Sequence, residues 1–220
     1  MIIFIDSNIL CSDYYMKNYK FELINRVGTI VLGEIVIDEV CNKYKEQLKE
    51  AVSMVDKNIK SINKLISDHI SIDNISIDSE VQKYRDFLEM FSFQNGMTIA
   101  EEYPDVSHKE IVRRALLRKK PFKQDGSTGY RDYLVWLTCI ALARTYTSEE
   151  IHFITQNVND FSDLNDKKKL HNDLLNDLRE ANIDNSGFYY WTSINEFVNY
   201  IQPCICLLYT SDAADDRISV

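Results

Sequence analysis

Five residues far apart in this sequence pose its chemical question: Asp6, Glu39, Asp132, Asn157 and Asp160. Asp6 closes the apolar run Ile2-Ile3-Phe4-Ile5, and Glu39 comes early in the segment after a second apolar run, Thr29-Ile30-Val31-Leu32. Asp132 falls in the first turn of a long apolar stretch, and Asn157 and Asp160 follow the run that ends at Thr155. All five lie just after strand ends or near helix starts, so one rim of a sheet could gather them. Crowded carboxylates repel one another, and burial raises their pKa. Such a cluster persists when cations compensate it, and hard oxygen ligands suit Mg²⁺ or Mn²⁺. Two such ions can activate water and stabilise the leaving oxygen of a phosphodiester. Each residue also has a plainer reading. Asp6 could simply end a strand and cap a helix, Glu39 could be solvated, Asp132 could favour its helix N-terminus, and Asp160 could be a turn residue.

A second constellation is basic. Formal net charge is -9, so no overall field collects nucleic acid. Yet Arg113, Arg114, Arg118, Lys119, Lys120, Lys123 and Arg131 make one dense basic region next to Asp132. Basic side chains of this kind contact phosphates, which positions a nucleic-acid backbone without reading bases; Lys and Arg stabilising a helix C-terminus is the competing explanation. Tyr130, Tyr133 and Trp136 could stack on bases, although their apolar neighbours favour core packing. The four histidines are scattered, so no zinc site is expected. None of the five cysteines forms a C-x-x-C pair, which suits reduced thiols in a cytoplasmic protein.

The elements that must position these residues follow from hydrophobic patterning. The chain has 220 residues, 45% of them hydrophobic, enough for one domain with a sizeable core. Short buried strands are expected at 2–5, 29–32, 151–155 and 188–191, and helices at 9–26, from 34 with a break to near 67, from 78 or 79 to 93, at 109–119, 128–145, 170–181 and 194–201. Residues 70–78 alternate apolar and polar and suit a strand or an extended connector. Residues 128–145, apolar nearly all round, should form the central buried helix. Strands alternating with helices imply an α/β three-layer α/β/α sandwich on a mainly parallel sheet, with a helical insertion at about 42–127. No apolar run of about 18 residues exists, so no membrane span is expected, and the N-terminal run, with Asp6 and no basic start, does not read as a signal peptide.

Five blocks in order resemble the PIN-domain ribonucleases: Ile5-Asp6-Ser7-Asn8; Val36-Ile37-Asp38-Glu39-Val40; Lys120-Pro121-Phe122; Gly129-Tyr130-Arg131-Asp132-Tyr133-Leu134-Val135-Trp136; and Phe153-Ile154-Thr155-Gln156-Asn157-Val158-Asn159-Asp160-Phe161. The Lys-Pro-Phe element before the third acid resembles the larger bacterial branch of that family. The resemblance implies a PIN-like fold and a metal-dependent endoribonuclease. It assigns catalysis to Asp6, Glu39, Asp132 and Asp160, and a Mg²⁺ or Mn²⁺ shell to these acids together with Asn157. Asn157 stands where many PIN domains carry a fourth acid; its amide can coordinate through oxygen but brings no charge. The expected geometry has Asp6, Glu39 and Asp132 within reach of one ion. RNA is the expected partner, held by Arg114, Arg118, Lys119, Lys120 and Arg131; an antitoxin or other protein partner and a homodimer are further partners compatible with the resemblance. Two other readings stay open. One is a catalytically silent PIN-like module that binds RNA or protein. The other is a haloacid-dehalogenase-like phosphatase, which wants a second acid where Asn8 stands. Residues 206–220 resemble a translated sequencing adaptor, so residues 1–205 are expected to form a single domain and the tail to be non-native.

Overall fold

The computed structural model describes residues 1–71, 75–100, 103–123 and 125–203. Its centre is β1 (Ile2–Ile5), buried at every position. Outward on one side come β2 (Thr29–Gly33) and the edge strand β3 (Thr98–Ala100), and on the other β4 (Ile151–Ile154) and β5 (Phe188–Trp191), giving the order β3-β2-β1-β4-β5. Every pairing is parallel. A parallel strand covered on both faces needs apolar side chains in both directions, which is why β1, β2 and β4 read as unbroken apolar runs. The chain steps from β1 to β2 and later returns to β1's other side as β4. That reversal places a crevice beyond the carboxyl ends of β1 and β4, where open α/β sheets bind ligands.

The helices are α1 (Ser7–Cys11), α2 (Tyr19–Val27), α3 (Glu34–Ile62), α4 (Ile77–Gln94), α5 (His108–Leu116), α6 (Tyr130–Thr145), α7 (Val158–Phe161) and α8 (Asn172–Glu180), then α9 over residues 194–203. The central helix expected at 128–145 is α6, which buries Tyr133, Leu134, Val135, Trp136, Cys139, Ile140 and Leu142. Its start is fixed by Gly129, at φ +122°, where a Cβ would come within 2.6 Å of Phe122 Cα. The Lys120-Pro121-Phe122 strap therefore lies directly on the turn that leads to Asp132.

Several expected boundaries change. The single helix at 9–26 is two helices. Asp13 accepts from Asn18 N–H at 2.7 Å, and Asn18 caps α2 by accepting from Lys20 N–H at 3.1 Å. The helix from 34 runs unbroken to Ile62, and the alternating stretch at 70–78 forms no strand among its described residues; 72–74 lie outside them. The span 42–127 is not helical throughout, because β3 returns it to the sheet beside β2. The tail at 206–220 lies outside the described residues.

Candidate active site

Asp6 is the first residue past the central strand, and its backbone N–H donates to Ile154 O, continuing the β1–β4 ladder by one step. The parallel register pairs Ile5 with Ile154, so the next residues, Asp6 and Thr155, become neighbours. Thr155 Oγ1 donates to Asp6 Oδ2 at 2.5 Å, Asn8 Nδ2 donates to the same oxygen at 2.8 Å, and Ser7 N–H donates to Oδ1 at 2.6 Å. Asp6 thus caps α1 and sits at the crevice; the two readings of this residue are compatible. Three donors hold one carboxylate in a fixed orientation.

Glu39 projects from the second turn of α3, only 15% exposed, with Lys43 Nζ at 3.0 Å and Arg131 Nη1 at 3.7 Å. Asp132 lies in the first turn of α6, where it accepts from Asn157 Nδ2 at 2.8 Å. Asn157 is the N-cap residue of α7. Asp6, Ser7, Asn8, Glu39, Lys43, Asp132, Gln156 and Asn157 line one pocket of about 280 Å³. Asp160, 9% exposed, does not line it, yet its charge acts on Asp132.

The electrostatics record the crowding. Burial pushes the Asp6 carboxyl above its usual range, with Glu39 adding to the shift and the Thr155 hydroxyl opposing it. Burial, then the charges of Asp160, Asp6 and Glu39, push Asp132 up to about 6. A divalent cation would relieve this repulsion, and the pocket offers only oxygen and nitrogen side-chain donors, with no thiol or imidazole, so its chemistry suits a hard ion. Among the described residues, however, no three His, Cys, Asp or Glu side chains form a group that could hold a metal as they stand. The expected convergence of Asp6, Glu39 and Asp132 on one ion is thus reduced to a shared pocket. In the pocket Lys43 and Arg131 pair with Glu39, and the Asn157 amide donates to Asp132.

The basic set divides. Arg114, expected on RNA, is 8% exposed and pairs with Asp177 through Nη1 at 2.9 Å and Nη2 at 2.6 Å. It also donates to Lys120 O through Nε at 2.9 Å and stacks over the Tyr133 ring. Burial and ion pairing make it a structural residue, and that corrects the RNA assignment. Lys120 is engaged too: its N–H donates to Asp173 and its Nζ to Asn159 O. Lys119 lines a separate cleft of about 780 Å³ between α5, α6 and α8, away from the acids. That larger cleft holds Glu110 and Asp177, both already bonded, to Tyr133 OH and to Arg114 respectively. Arg118 is exposed just past α5, at φ +54°. Of the five expected RNA contacts, Arg131 alone has an ion pair to an acid of the pocket among the described residues. Tyr133 and Trp136 are buried, as packing favoured, while Tyr130 is 48% exposed.

Sequence reasoning did not assign Lys43, Ser7, Asn8, Thr155 or Gln156 to the site. Lys43 follows Glu39 by one helical turn, a spacing that also marks ordinary surface pairs. Thr155 could have been found from the strand register alone, as the residue beside Asp6.

A family model described as a PIN domain matches residues 3–161. No curated protein and no solved structure matches the chain.

Proposed function

Since the chain belongs to the PIN-domain family, whose members are generally metal-dependent nucleases, we propose that it is an endoribonuclease that hydrolyses RNA phosphodiester bonds at the pocket of Asp6, Glu39 and Asp132. The observation that carries this reading is the gathering of Asp6, Glu39 and Asp132 in one pocket at the carboxyl ends of β1 and β4, where burial first and then the charges of Asp160, Asp6 and Glu39 push the Asp132 carboxyl up to about 6. Buried carboxylates with raised pKa in a cleft are a mark of functional sites, and a cation would offset their charge.

Asp6, Glu39 and Asp132 would hold Mg²⁺ or Mn²⁺, with the Asn157 amide oxygen completing the shell and Asp160 acting from behind Asp132. An ion there supplies an ionised water near neutral pH and offsets charge on the phosphodiester. The chain's own residues do the rest. Thr155, Asn8 and the Ser7 N–H fix Asp6, so its orientation costs nothing when substrate arrives. Lys43 and Arg131 give the acidic pocket a cationic edge to receive a phosphate. Tyr130, exposed in the first turn of α6, offers a face on which a base can stack.

Asp6→Asn should reduce Mn²⁺-dependent cleavage of a single-stranded RNA at least about a hundredfold, the scale of losing an essential electrostatic group. The amide oxygen can still accept from Ser7 N–H, while its NH2 replaces the oxygen that accepts from Thr155 and Asn8, so circular dichroism of the variant checks that the fold is retained. Retained cleavage would refute the site. A silent binding module is the second reading, favoured by the unclosed acids and by Asn157. It predicts RNA binding with no cleavage in any divalent ion.

A further inference from the structure

The loop after α1 stays at the pocket's end of the sheet. α1 starts inside the pocket at Ser7 and ends at Cys11, about 6 Å further on at 1.5 Å per residue. α2 then runs back to the opposite end, where a Cβ on Gly28 would come within 2.8 Å of Met1 O. The residues between, and Tyr19 at the start of α2, therefore stand beside the acids. The stretch reads Tyr14-Tyr15-Met16-Lys17-Asn18-Tyr19-Lys20, three tyrosines and two lysines among seven residues.

These rings divide between packing and display. Tyr14 turns inward, edge-on to Tyr84 at 5.6 Å, and Tyr84 Oη donates to Tyr14 O at 3.0 Å. Tyr15 rests on Phe87 at 5.0 Å and Tyr84 at 5.6 Å, with its Oη 3.3 Å from Tyr44 Oη, yet 40% of it faces solvent. Tyr19 is 63% exposed. Core packing does not account for these two surfaces. Lys17 Nζ stands 5.5 Å from the Tyr15 ring centroid and Lys20 Nζ 6.0 Å from that of Tyr19. Neither lysine pairs with a carboxylate among the described residues; the acids of the same stretch, Asp13 and Glu22, are engaged by Asn18 N–H and Arg26.

An exposed ring under a cation is an arrangement that a nucleotide can take over. The base stacks on the ring and the ammonium turns to the phosphate. The loop is held ready for this. Tyr15 is backed by Tyr84 and Phe87, and Met16 keeps a φ of +48° with its side chain buried, a backbone state that persists only where its surroundings enforce it. Tyr44, which Tyr15 touches, directly follows Lys43, so the rings continue the cationic edge of the pocket.

We infer that the α1–α2 loop is a stacking platform for unpaired RNA, on which Tyr15 and Tyr19 receive bases and Lys17 and Lys20 receive phosphates. The inference rests on the nuclease reading and narrows its substrate to RNA that is single-stranded on the Lys43 side of the pocket. Bases inside a duplex keep their faces stacked on one another and offer none to a tyrosine.

The test is binding of a fluorescent single-stranded RNA to the full chain in EDTA, which needs no cleavage. Tyr15→Leu and Tyr19→Leu should each weaken binding about tenfold, and Phe at either position should restore it. The same RNA without bases along its flank should bind wild type and both Leu variants alike. Lys17→Ala/Lys20→Ala should flatten the salt slope by about 1.4, two single-strand phosphates. Tyr19→Leu decides if Tyr15→Leu fails to fold, since the Tyr19 ring lies on the surface. Wild-type affinity in Tyr19→Leu would overturn the platform, as would an equal loss on the base-free RNA or no binding of unpaired RNA at all. Equal affinity for a duplex would overturn the restriction to single strands. The nuclease reading fails separately: stacking without cleavage in any divalent ion removes the chemistry and keeps the platform, whereas cleavage whose KM and kcat ignore both tyrosines keeps the chemistry and removes the platform.

Discussion

Two carboxylate centres flank α6 and are treated in opposite ways. On one side, Asp177 receives both ends of the Arg114 guanidinium and the Trp136 indole N–H at 2.9 Å. Arg114 in turn holds the carbonyl of Lys120, and Lys120 N–H reaches Asp173. Charge and hydrogen bonding are both complete there, and α5, α6, α8 and the Lys-Pro-Phe strap are tied together by it. On the other side, Asp6 and Asp132 are orientated by good donors but remain electrostatically opposed, with carboxyls pushed upward. A buried pair that closes on itself is a fastener. The other pocket keeps its repulsion, and it is there that the proposed cation would sit.

The largest expected effect comes from breaking the fastener. Arg114→Ala leaves Asp177 largely buried beside Trp136 with no counter-charge, and removal of one partner from such a pair costs about 3–5 kcal/mol. Urea unfolding should show that loss, with RNA affinity falling only as folded protein is lost. A variant that folds normally yet binds RNA poorly would return Arg114 to the phosphate-binding set. Asp6→Asn, by contrast, relieves a repelling charge but replaces the acceptor of Thr155 and Asn8 by an amide NH2, so the stability of metal-free protein should change far less than in Arg114→Ala.

The next effect is a pH dependence that the crowded pocket brings to stability, opposite in sign to that of the buried His152. Burial and the neighbouring acids push the Asp132 carboxyl from its ordinary 3.8 up to about 6 in the folded protein. The folded state therefore binds this proton more tightly than the unfolded chain does. Its contribution destabilises the protein above about pH 6 and is relieved as pH falls through 6 toward 4. Two units correspond to about 3 kcal/mol, and solvent at the pocket mouth reduces that to the order of 2 kcal/mol. His152 works in the opposite direction. Buried under Trp191 and Phe197, it is held below its ordinary value by desolvation, so stability is lost as pH falls below 6.5. The test is the difference between wild type and Asp132→Asn in unfolding at about pH 5 and about pH 8, without divalent ions, which cancels the His152 contribution. No difference between the two pH values would mean that Asp132 is not under charge pressure.

These contrasts also explain what the sequence could disclose. The position of Asp6 at the end of the central strand was legible because a β-branched apolar run that stops at an acid marks a buried strand and its end. Asp132 was legible because α6 is apolar almost all round, which makes an acid in its first turn conspicuous. Arg114 was misread because a dense basic stretch looks the same whether its members face water or Asp177, a partner 63 residues away. β3 was missed since three residues at a sheet edge carry too little periodicity to stand out. The break between α1 and α2 depends on Asp13 receiving Asn18 N–H, a local bond that competes with helix continuation.

Lys43 sharpens the comparison at a smaller scale. It lies 3.0 Å from Glu39 and 3.2 Å from Ser7 Oγ, inside the pocket but 37% exposed. It therefore acts as a partial, displaceable counter-charge where Arg114 is a permanent one. Lys43→Ala should free Glu39 and tighten Mn²⁺ binding about tenfold, as read by calorimetry without RNA. Cleavage should nevertheless fall, because the phosphate loses a cationic contact. Weaker Mn²⁺ binding in this variant would show that Lys43 holds Glu39 in place for the ion and does not compete with it.

The smallest expected effect concerns single phosphates. Arg131, 67% exposed and 3.7 Å from Glu39, is the basic residue best placed to meet a strand entering the pocket. Arg118, exposed past the end of α5, can touch RNA only if the strand continues along the Lys-Pro-Phe side. A single-stranded phosphate contact contributes about 0.7 to the slope of log affinity against log salt. Arg131→Ala should therefore flatten the slope by about that much, whatever the RNA sequence, since a phosphate contact reads no base. Arg118→Ala should do the same only if the path extends that far, so the pair of slopes traces the strand's direction. An unchanged slope for Arg131→Ala would confine that side chain to neutralising Glu39, and the cationic edge of the pocket would then rest on Lys43 alone.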